Sequence, residues 1–283
     1  MRGAVALANT GPGRHDGPRG GRLDRERRRP GRGLDVLEVT RPVAVVTGAA
    51  RGIGEATARR LHADGFAVAL LDVADEVDAV ARDLSPDGRT AVGIRCDVSD
   101  PDAWLTAAAA IRPLGRVAVL VANAMVVDVK PLHETSLASW HHQLDVTLTG
   151  AFLAVQTFLP DLRATSGAVV LVSSVHALFG LPGRPAYATA KAGLTGLGRQ
   201  LAAEYGPDVR VNTVLPGPIL TAQWDDIGEE ERQRSARSTT LGRLGQPAEV
   251  ASVISFLASS DSSYLTGATI PVDGGWSITK ESS

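Results

Sequence analysis

Seven short apolar runs, separated by stretches with helical periodicity, constrain this chain more than any other feature of its sequence. They lie at residues 43–47, 67–72, 90–96, 117–123, 168–174, 210–215 and 269–272. Their Val, Ile and Leu content is nearly continuous rather than alternating, the pattern of parallel strands buried on both faces. Helices are expected at about 52–63, 101–111, 136–163, 186–205 and 247–259, with Gly65 and Gly206 standing where helix C-terminal glycines belong. Strand and helix in this alternation fold as right-handed βαβ units. The expectation is one doubly wound α/β domain over residues 42–276, with about seven parallel strands and helices on both faces. No internal repeat or linker interrupts it, and residues 277–283 form a short tail.

Composition narrows the class. With 283 residues, 44% hydrophobic and 21% charged, the chain can bury a core without staples. A single cysteine, Cys96, excludes an intrachain disulfide framework and fits a reducing cytoplasm. No apolar stretch reaches the 18 residues that a membrane span needs. A net charge of −2 gives no general attraction to nucleic acid. That balance hides an asymmetry: residues 1–41 hold ten Arg against five acidic residues, leaving −7 for the remainder. The segment is rich in Gly and Pro and poor in large apolar residues, so a disordered extension is expected rather than a basic arm. It has no apolar core of a secretory signal, and its acidic residues argue against a transit peptide.

Residues Thr47-Gly48-Ala49-Ala50-Arg51-Gly52-Ile53-Gly54 follow the first strand and open the first helix. Glycine lets backbone approach a ligand closely, and the helix N-terminus offers free N–H groups to a pyrophosphate. Gly48, Arg51, Gly52, Ile53 and Gly54 are therefore candidate dinucleotide contacts. Asp72 closes the second strand 18 residues after Gly54. A carboxylate there accepts hydrogen bonds from the adenosine ribose and repels a 2′-phosphate, which favours NAD over NADP. Arg51 pulls the other way by favouring a phosphate. Asp97 and Val98, after the third strand, are placed at the adenine, with a helix-capping role as the alternative for Asp97.

Tyr187 and Lys191 stand four residues apart, on one helix face. Of 29 basic residues only Lys130, Lys191 and Lys280 are lysine, so the chain strongly prefers arginine. Lysine is a compact point charge and arginine a planar fork. A rare lysine one turn after one of three tyrosines points to chemistry that needs a charge beside a phenol.

These motifs resemble the short-chain dehydrogenase/reductase family. Residues 47–54, Asn123-Ala124, Ser174, Tyr187 with Lys191, Pro216-Gly217 and Val272-Asp273-Gly274-Gly275 occur in that family's order and spacing over about 42–276. The resemblance implies a Rossmann fold and hydride transfer between a nicotinamide cofactor and a secondary alcohol or ketone. Tyr187 would be the general acid/base, Ser174 would hold the substrate oxygen, and Lys191 would grip the nicotinamide ribose and depress the phenol. Bringing a phenol from about 10 to near 7 takes roughly 4 kcal/mol. A unit charge at about 4 Å supplies roughly that at an effective dielectric near 20. Asn123, Pro216, Gly217, Ile219 and Thr221 are implied cofactor contacts.

Two positions depart from the family. Its usual Asn in the long fourth helix is Thr147 here, three residues before Gly150. A hydroxyl replaces an amide in the proton relay to the lysine, which implies slower relay or the use of backbone carbonyls. Its Asn-Asn-Ala-Gly reads Ala122-Asn123-Ala124-Met125, which sets a bulky Met beside the cofactor. A substrate loop is expected at 220–242, with a charged helix-like run at 229–234. Phe179, Leu181, Met125 and Trp224 make the pocket partly apolar, while His176, Arg184 and Gln223 could bind a polar group. His141-His142 has no ligand partners at a suitable spacing, so surface histidines are expected and no metal. Gly193, Gly196 and Gly198 allow close packing of the Tyr187 helix, and the resemblance implies a homo-oligomer, dimer or tetramer. The rival reading is a non-catalytic dinucleotide-binding regulator of the same fold.

Overall fold

The computed structural model describes residues 41–225 and 227–278. The expected extension, but for Arg41, and the last five residues of the tail lie outside them. Seven strands form one parallel sheet: β1 Val43–Thr47, β2 Ala67–Asp72, β3 Ala91–Arg95, β4 Val117–Ala122, β5 Ala168–Val172, β6 Arg210–Pro216 and β7 Thr269–Val272. Their order is β3-β2-β1-β4-β5-β6-β7. Every crossover passes through at least one helix, and the order reverses between β1 and β4. A doubly wound sheet opens a crevice at that reversal, outside the carboxyl ends of the strands.

The central strands β1, β4 and β5 are buried almost throughout, because helices cover both faces. One apolar layer gathers Trp104, Ile111, Phe158 and Leu162 on the side of the helices at 101–111 and 150–164. The other gathers Ala58, Leu61, Val250, Ile254 and Leu257 on the side of those at 52–63 and 247–258. β7 departs from the buried strand expected. Thr269 and Pro271 are exposed, as an edge position allows, and proline is tolerated in a strand at such an edge.

The helices are α1 Gly52–Ala63, α2 Glu76–Leu84, α3 Pro101–Ile111, α4 Leu137–Leu144, α5 Gly150–Ala164, α6 Pro185–Tyr205, α7 Glu229–Arg237 and α8 Pro247–Ala258. Three findings differ from the sequence expectation. α2 was not expected, since its nine residues bury only Val77, Val80 and Ala81. The single helix expected at 136–163 is two helices joined by a π-helical turn, Asp145–Thr149. Gly206 ends α6 with an ordinary negative φ, whereas Gly65 takes the left-handed φ of +98° expected of a helix terminator.

The three glycines of α6 divide their duties. Gly193 faces Leu148 of the π turn, and Gly198 faces Thr213 of β6, so both let α6 sit close to the domain's own interior. Gly196 faces open space.

Candidate active site

The carboxyl ends of β1, β2, β4, β5 and β6 carry the residues singled out from the sequence. After β1 the chain turns through Gly48 and Gly52, with φ of +63° and +62°, a region that other residues rarely adopt. Packing leaves no room for a side chain at Gly48 or Gly54. A Cβ at Gly48 would lie 2.9 Å from the Ala124 Cα, and one at Gly54 would run into the Gly48 carbonyl oxygen. Asn123 ties the turn to β4 by donating from Nδ2 to the Thr47 and Gly48 carbonyls at 2.9 and 3.1 Å. The Thr47 hydroxyl in turn accepts from the Asn123 and Ala124 amides at 2.9 and 3.0 Å. Asn123 is thus first a fastener of the crevice floor.

Asp72 stands beside this turn. Its carboxylate accepts from the Ala50 amide at 3.0 Å and from the Ala74 amide at 3.1 Å. Thr221 approaches from the far side, its methyl group 3.4 Å from where a Gly52 Cβ would lie. Ile219 is buried, bridges to Gly245, and its carbonyl accepts from the Trp224 indole at 2.8 Å. Trp224 therefore braces the loop rather than lining an apolar pocket. Gly217 passes so close to Asp273 that a Cβ would meet its Cα at 2.7 Å. These residues fit a dinucleotide: a glycine cradle that any Cβ would fill, a helix N-terminus and an acidic strand end.

The third strand's residues behave differently. Asp97 is exposed and accepts from the amide and hydroxyl of Ser99, at 2.9 and 2.7 Å, which hold its carboxyl below the usual range. Helix capping falls instead to Asp100, which accepts from the Asp102 amide. Val98 is buried against Gly150, and its carbonyl accepts from the Trp104 indole at 2.9 Å.

Tyr187 and Lys191 lie on the buried side of α6, with Lys191 only 2% exposed. The lysine Nζ donates to the Val172 carbonyl at 2.7 Å and stands 5.6 Å from the centre of the Tyr187 ring. Ser173, the ordinary hydroxyl of the pair, donates to the Lys191 carbonyl at 2.7 Å. Together these bonds fasten α6 to the end of β5. Ser174 begins the turn that follows, its hydroxyl accepting from the His176 amide at 3.2 Å.

Burial pushes the Tyr187 phenol up, opposed by a hydrogen bond from Ser174 and by the Arg184 guanidinium. Burial also drives the Lys191 ammonium down to about 7. The expected depression of the phenol by this lysine is therefore not what the structure has. Its Nζ is turned to a carbonyl, and its charge is itself weakened by desolvation.

The walls of the site come from four segments. His176 is edge-on to Tyr187 at 5.9 Å between ring centres, and Trp276 is edge-on to His176 at 6.3 Å. Phe179 is edge-on to Trp276 at 5.7 Å. Trp276 is the wall residue that sequence reasoning missed, although its place directly after Gly274-Gly275 was a signal. Gln223 donates to the Met125 sulfur at 3.6 Å, joining the 220–242 segment to the chain just after β4. Leu181, like Phe179, is exposed. Thr147 sits in the π turn, 2% exposed, its hydroxyl without a partner among the described residues. His141 and His142 are exposed on α4. Among the described residues no helix is long and apolar enough to cross a membrane.

Comparison with known proteins agrees with this fold. The family described as enoyl-(acyl carrier protein) reductase matches residues 48–277. A cis-4-hydroxycyclohexanecarboxylate dehydrogenase of Sinomonas cyclohexanicum is 43% identical over 83% of this chain and 96% of its own. A meso-2,3-butanediol dehydrogenase of Serratia marcescens is 41% identical over 82% and 93%. Among solved structures, a short-chain dehydrogenase/reductase titled glucose/ribitol dehydrogenase, from Brucella melitensis, superposes with a TM-score of 0.79. It is 35% identical over 83% of this chain and 96% of its own. By these matches the chain belongs to the short-chain dehydrogenase/reductase family, as an oxidoreductase acting on alcohol groups.

Proposed function

We propose that this protein interconverts a compact secondary alcohol and its ketone, with NAD preferred over NADP and Tyr187 as the general acid/base. The observation that carries the reading is a phenol buried between the Ser174 hydroxyl and the Lys191 side chain at the mouth of the crevice. Gly48, Arg51, Gly52, Ile53 and Gly54 would hold the cofactor's pyrophosphate and Asp72 its adenosine ribose. Asp97 and Val98 would flank the adenine. Asn123, Pro216, Gly217, Ile219 and Thr221 would border the nicotinamide, and Lys191 would hold its ribose. When bound, NAD supplies an acceptor for the carbinol hydride.

The side chains supply the rest. Ser174 holds the substrate oxygen by a hydrogen bond, and Tyr187 takes the hydroxyl proton as the carbonyl forms. Because burial keeps this phenol protonated, oxidation should speed up as pH rises above neutrality. Thr147 retains a hydroxyl for proton relay where relatives of the fold carry an amide. The names of the two relatives above, a hydroxycyclohexanecarboxylate dehydrogenase and a butanediol dehydrogenase, support a compact ring or vicinal diol.

The decisive experiment is NAD- and NADP-dependent oxidation of 4-hydroxycyclohexanecarboxylate, 2,3-butanediol, sugar alcohols and hydroxyacyl thioesters, repeated with Tyr187→Phe. General acid/base removal should cost at least about 100-fold in turnover with NAD binding retained. Unchanged turnover in the variant would overturn the assignment. We also propose a cytoplasmic homo-oligomer, dimer or tetramer, paired through α5 and α6, where Phe152 is exposed and Gly196 faces open space. Light scattering that returned a monomer mass would refute it.

A further inference from the structure

The buried side of α4 and of the π turn after it is polar. Over residues 137–149 only Gln143 and Thr147 are buried, at 1% and 2% exposure. A surface helix ordinarily turns apolar residues inward. Here the inward positions carry an amide and a hydroxyl, four residues apart on one helical face. α4 and its turn pack along α6, the helix of Tyr187 and Lys191.

The orientation of the amide is fixed from the outside. Asp128 follows β4, and the Lys130 ammonium and Ser139 hydroxyl hold its carboxyl below the usual range. An ionised carboxylate only accepts, so the Ser139 hydroxyl directs its one proton to Asp128, at 2.9 Å. Ser139 must then accept from Gln143, whose Nε2 donates to its hydroxyl at 3.2 Å and to its carbonyl at 3.4 Å. With both amide protons turned to Ser139, the Gln143 Oε1 is left as a free acceptor on the other side. That oxygen and the Thr147 hydroxyl are buried with no hydrogen-bond partner among the described residues, each other included. Buried polar atoms that the chain itself does not reach are satisfied by ordered water.

We propose that Gln143 is a positioning residue: its Oε1 and the Thr147 hydroxyl grip one buried water, and that water hands on the proton released at the active site. This rests on the reading of the site as one for secondary alcohols. Oxidation sends the carbinol hydride to NAD and the hydroxyl proton to the Tyr187 oxygen. That proton must reach solvent before the next turnover. A water that takes one proton and gives up another returns to its starting state, so the transfer balances with no co-reactant. The Gln143 amide gives no proton to the transfer. It accepts from the water and so orients it, which it can do only while Ser139 and Asp128 hold Nε2 outward.

Three measurements on the full-length chain test this. A crystal structure of the unmodified protein should show one water within about 3.2 Å of both the Gln143 Oε1 and the Thr147 Oγ1. A direct bond between the two side chains, or a dry contact, sinks the proposal even if every variant fails to fold. Urea titrations of Gln143→Met, Thr147→Val and the double variant form a cycle. Each single change strips the water of one partner, so the double variant should lose clearly less stability than the two losses combined. Additive losses overturn the shared water. The kinetic arm oxidises 4-hydroxycyclohexanecarboxylate with saturating NAD. Gln143→Met should lower kcat about tenfold or more, with KM for the alcohol near its original value. Its solvent deuterium isotope effect on kcat should rise, while the effect of deuterium on the carbinol carbon falls. A merely loosened fold does not exchange one isotope effect for the other. Unchanged kcat and isotope effects in that variant overturn the relay. If no alcohol is oxidised, the secondary-alcohol reading falls, and the crystal structure and stability cycle still decide the shared water.

Discussion

Lys191 is held almost out of water with one carbonyl as partner, and that placement destabilises the fold that contains it. The unfolded chain keeps this proton up to about 10.5, the folded chain only to about 7. Between those values the unfolded state binds more protons, so stability rises with pH and falls as pH drops toward 7. The slope from this group is at most about 1.4 kcal/mol per pH unit. Below 7 both states are protonated and the penalty is constant. Tyr187, raised from an ordinary value of 10.0, contributes only at the upper end of this window and beyond. Lys191→Met should therefore flatten the stability profile between pH 7.5 and 9.5, raise Tm near pH 7, and abolish turnover. Urea titrations at those two pH values check it. Asp72 supports a second prediction, because its carboxylate braces the glycine turn and faces the expected ribose. Asp72→Ser should lower the NAD-to-NADP ratio of kcat/KM by about tenfold or more, in line with the repulsion a carboxylate exerts on a 2′-phosphate. Both residues stood out in the sequence. That the lysine would itself be discharged by burial did not, since desolvation depends on what packs around it.

At the scale of elements, the β1–turn–α1 unit shows how local chemistry and packing combine. The glycines at 48, 52 and 54 were legible as a cradle, yet only the folded turn distinguishes their duties. Gly48 and Gly52 supply positive φ, and Gly54 supplies the absence of a side chain against the Gly48 carbonyl. Gly54→Ala should cost about 1–3 kcal/mol of stability by forcing backbone apart. It should also weaken NAD binding more than Gly65→Ala, whose Cβ would meet nothing nearby. Thermal melting with and without NAD separates the two effects. The π turn between α4 and α5 had no sequence signal, because residues 145–149 carry the same helical periodicity as their neighbours. Leu148 of this turn packs against Gly193 of α6, 45 residues away, a contact no local pattern encodes. Such turns are frequent at functional sites, and this one carries Thr147.

Across the whole molecule, Arg210 fastens the start of β6 to the end of α8 and the chain that leads into β7. Its Nη1 donates to the carbonyl and hydroxyl of Ser262 at 3.1 and 2.8 Å, and its Nη2 to the carbonyls of Leu257 and Ser259 at 3.0 and 3.1 Å. Asn212 adds a bond to the Leu265 carbonyl at 2.9 Å. Arg210→Lys cannot span these acceptors with one ammonium and should cost about 2–4 kcal/mol. Denaturant melts should register that loss while the NAD-to-NADP ratio stays near its original value. Nothing in the sequence marked Arg210, one of 26 arginines, because its acceptors, mostly backbone carbonyls, lie about 50 residues away. The sequence by itself determined the strands and most helices, since near-continuous apolar runs and glycine-closed turns depend on neighbours a few positions off. It also determined the Tyr187–Lys191 face, because four residues is one helical turn. Only the tertiary structure decided which strand lay at the edge and which glycine met which backbone. It alone set Trp276 against His176 and gave a buried lysine a proton affinity near neutrality. Those outcomes arise from exclusion of water and from contacts between distant segments, which a linear pattern does not encode.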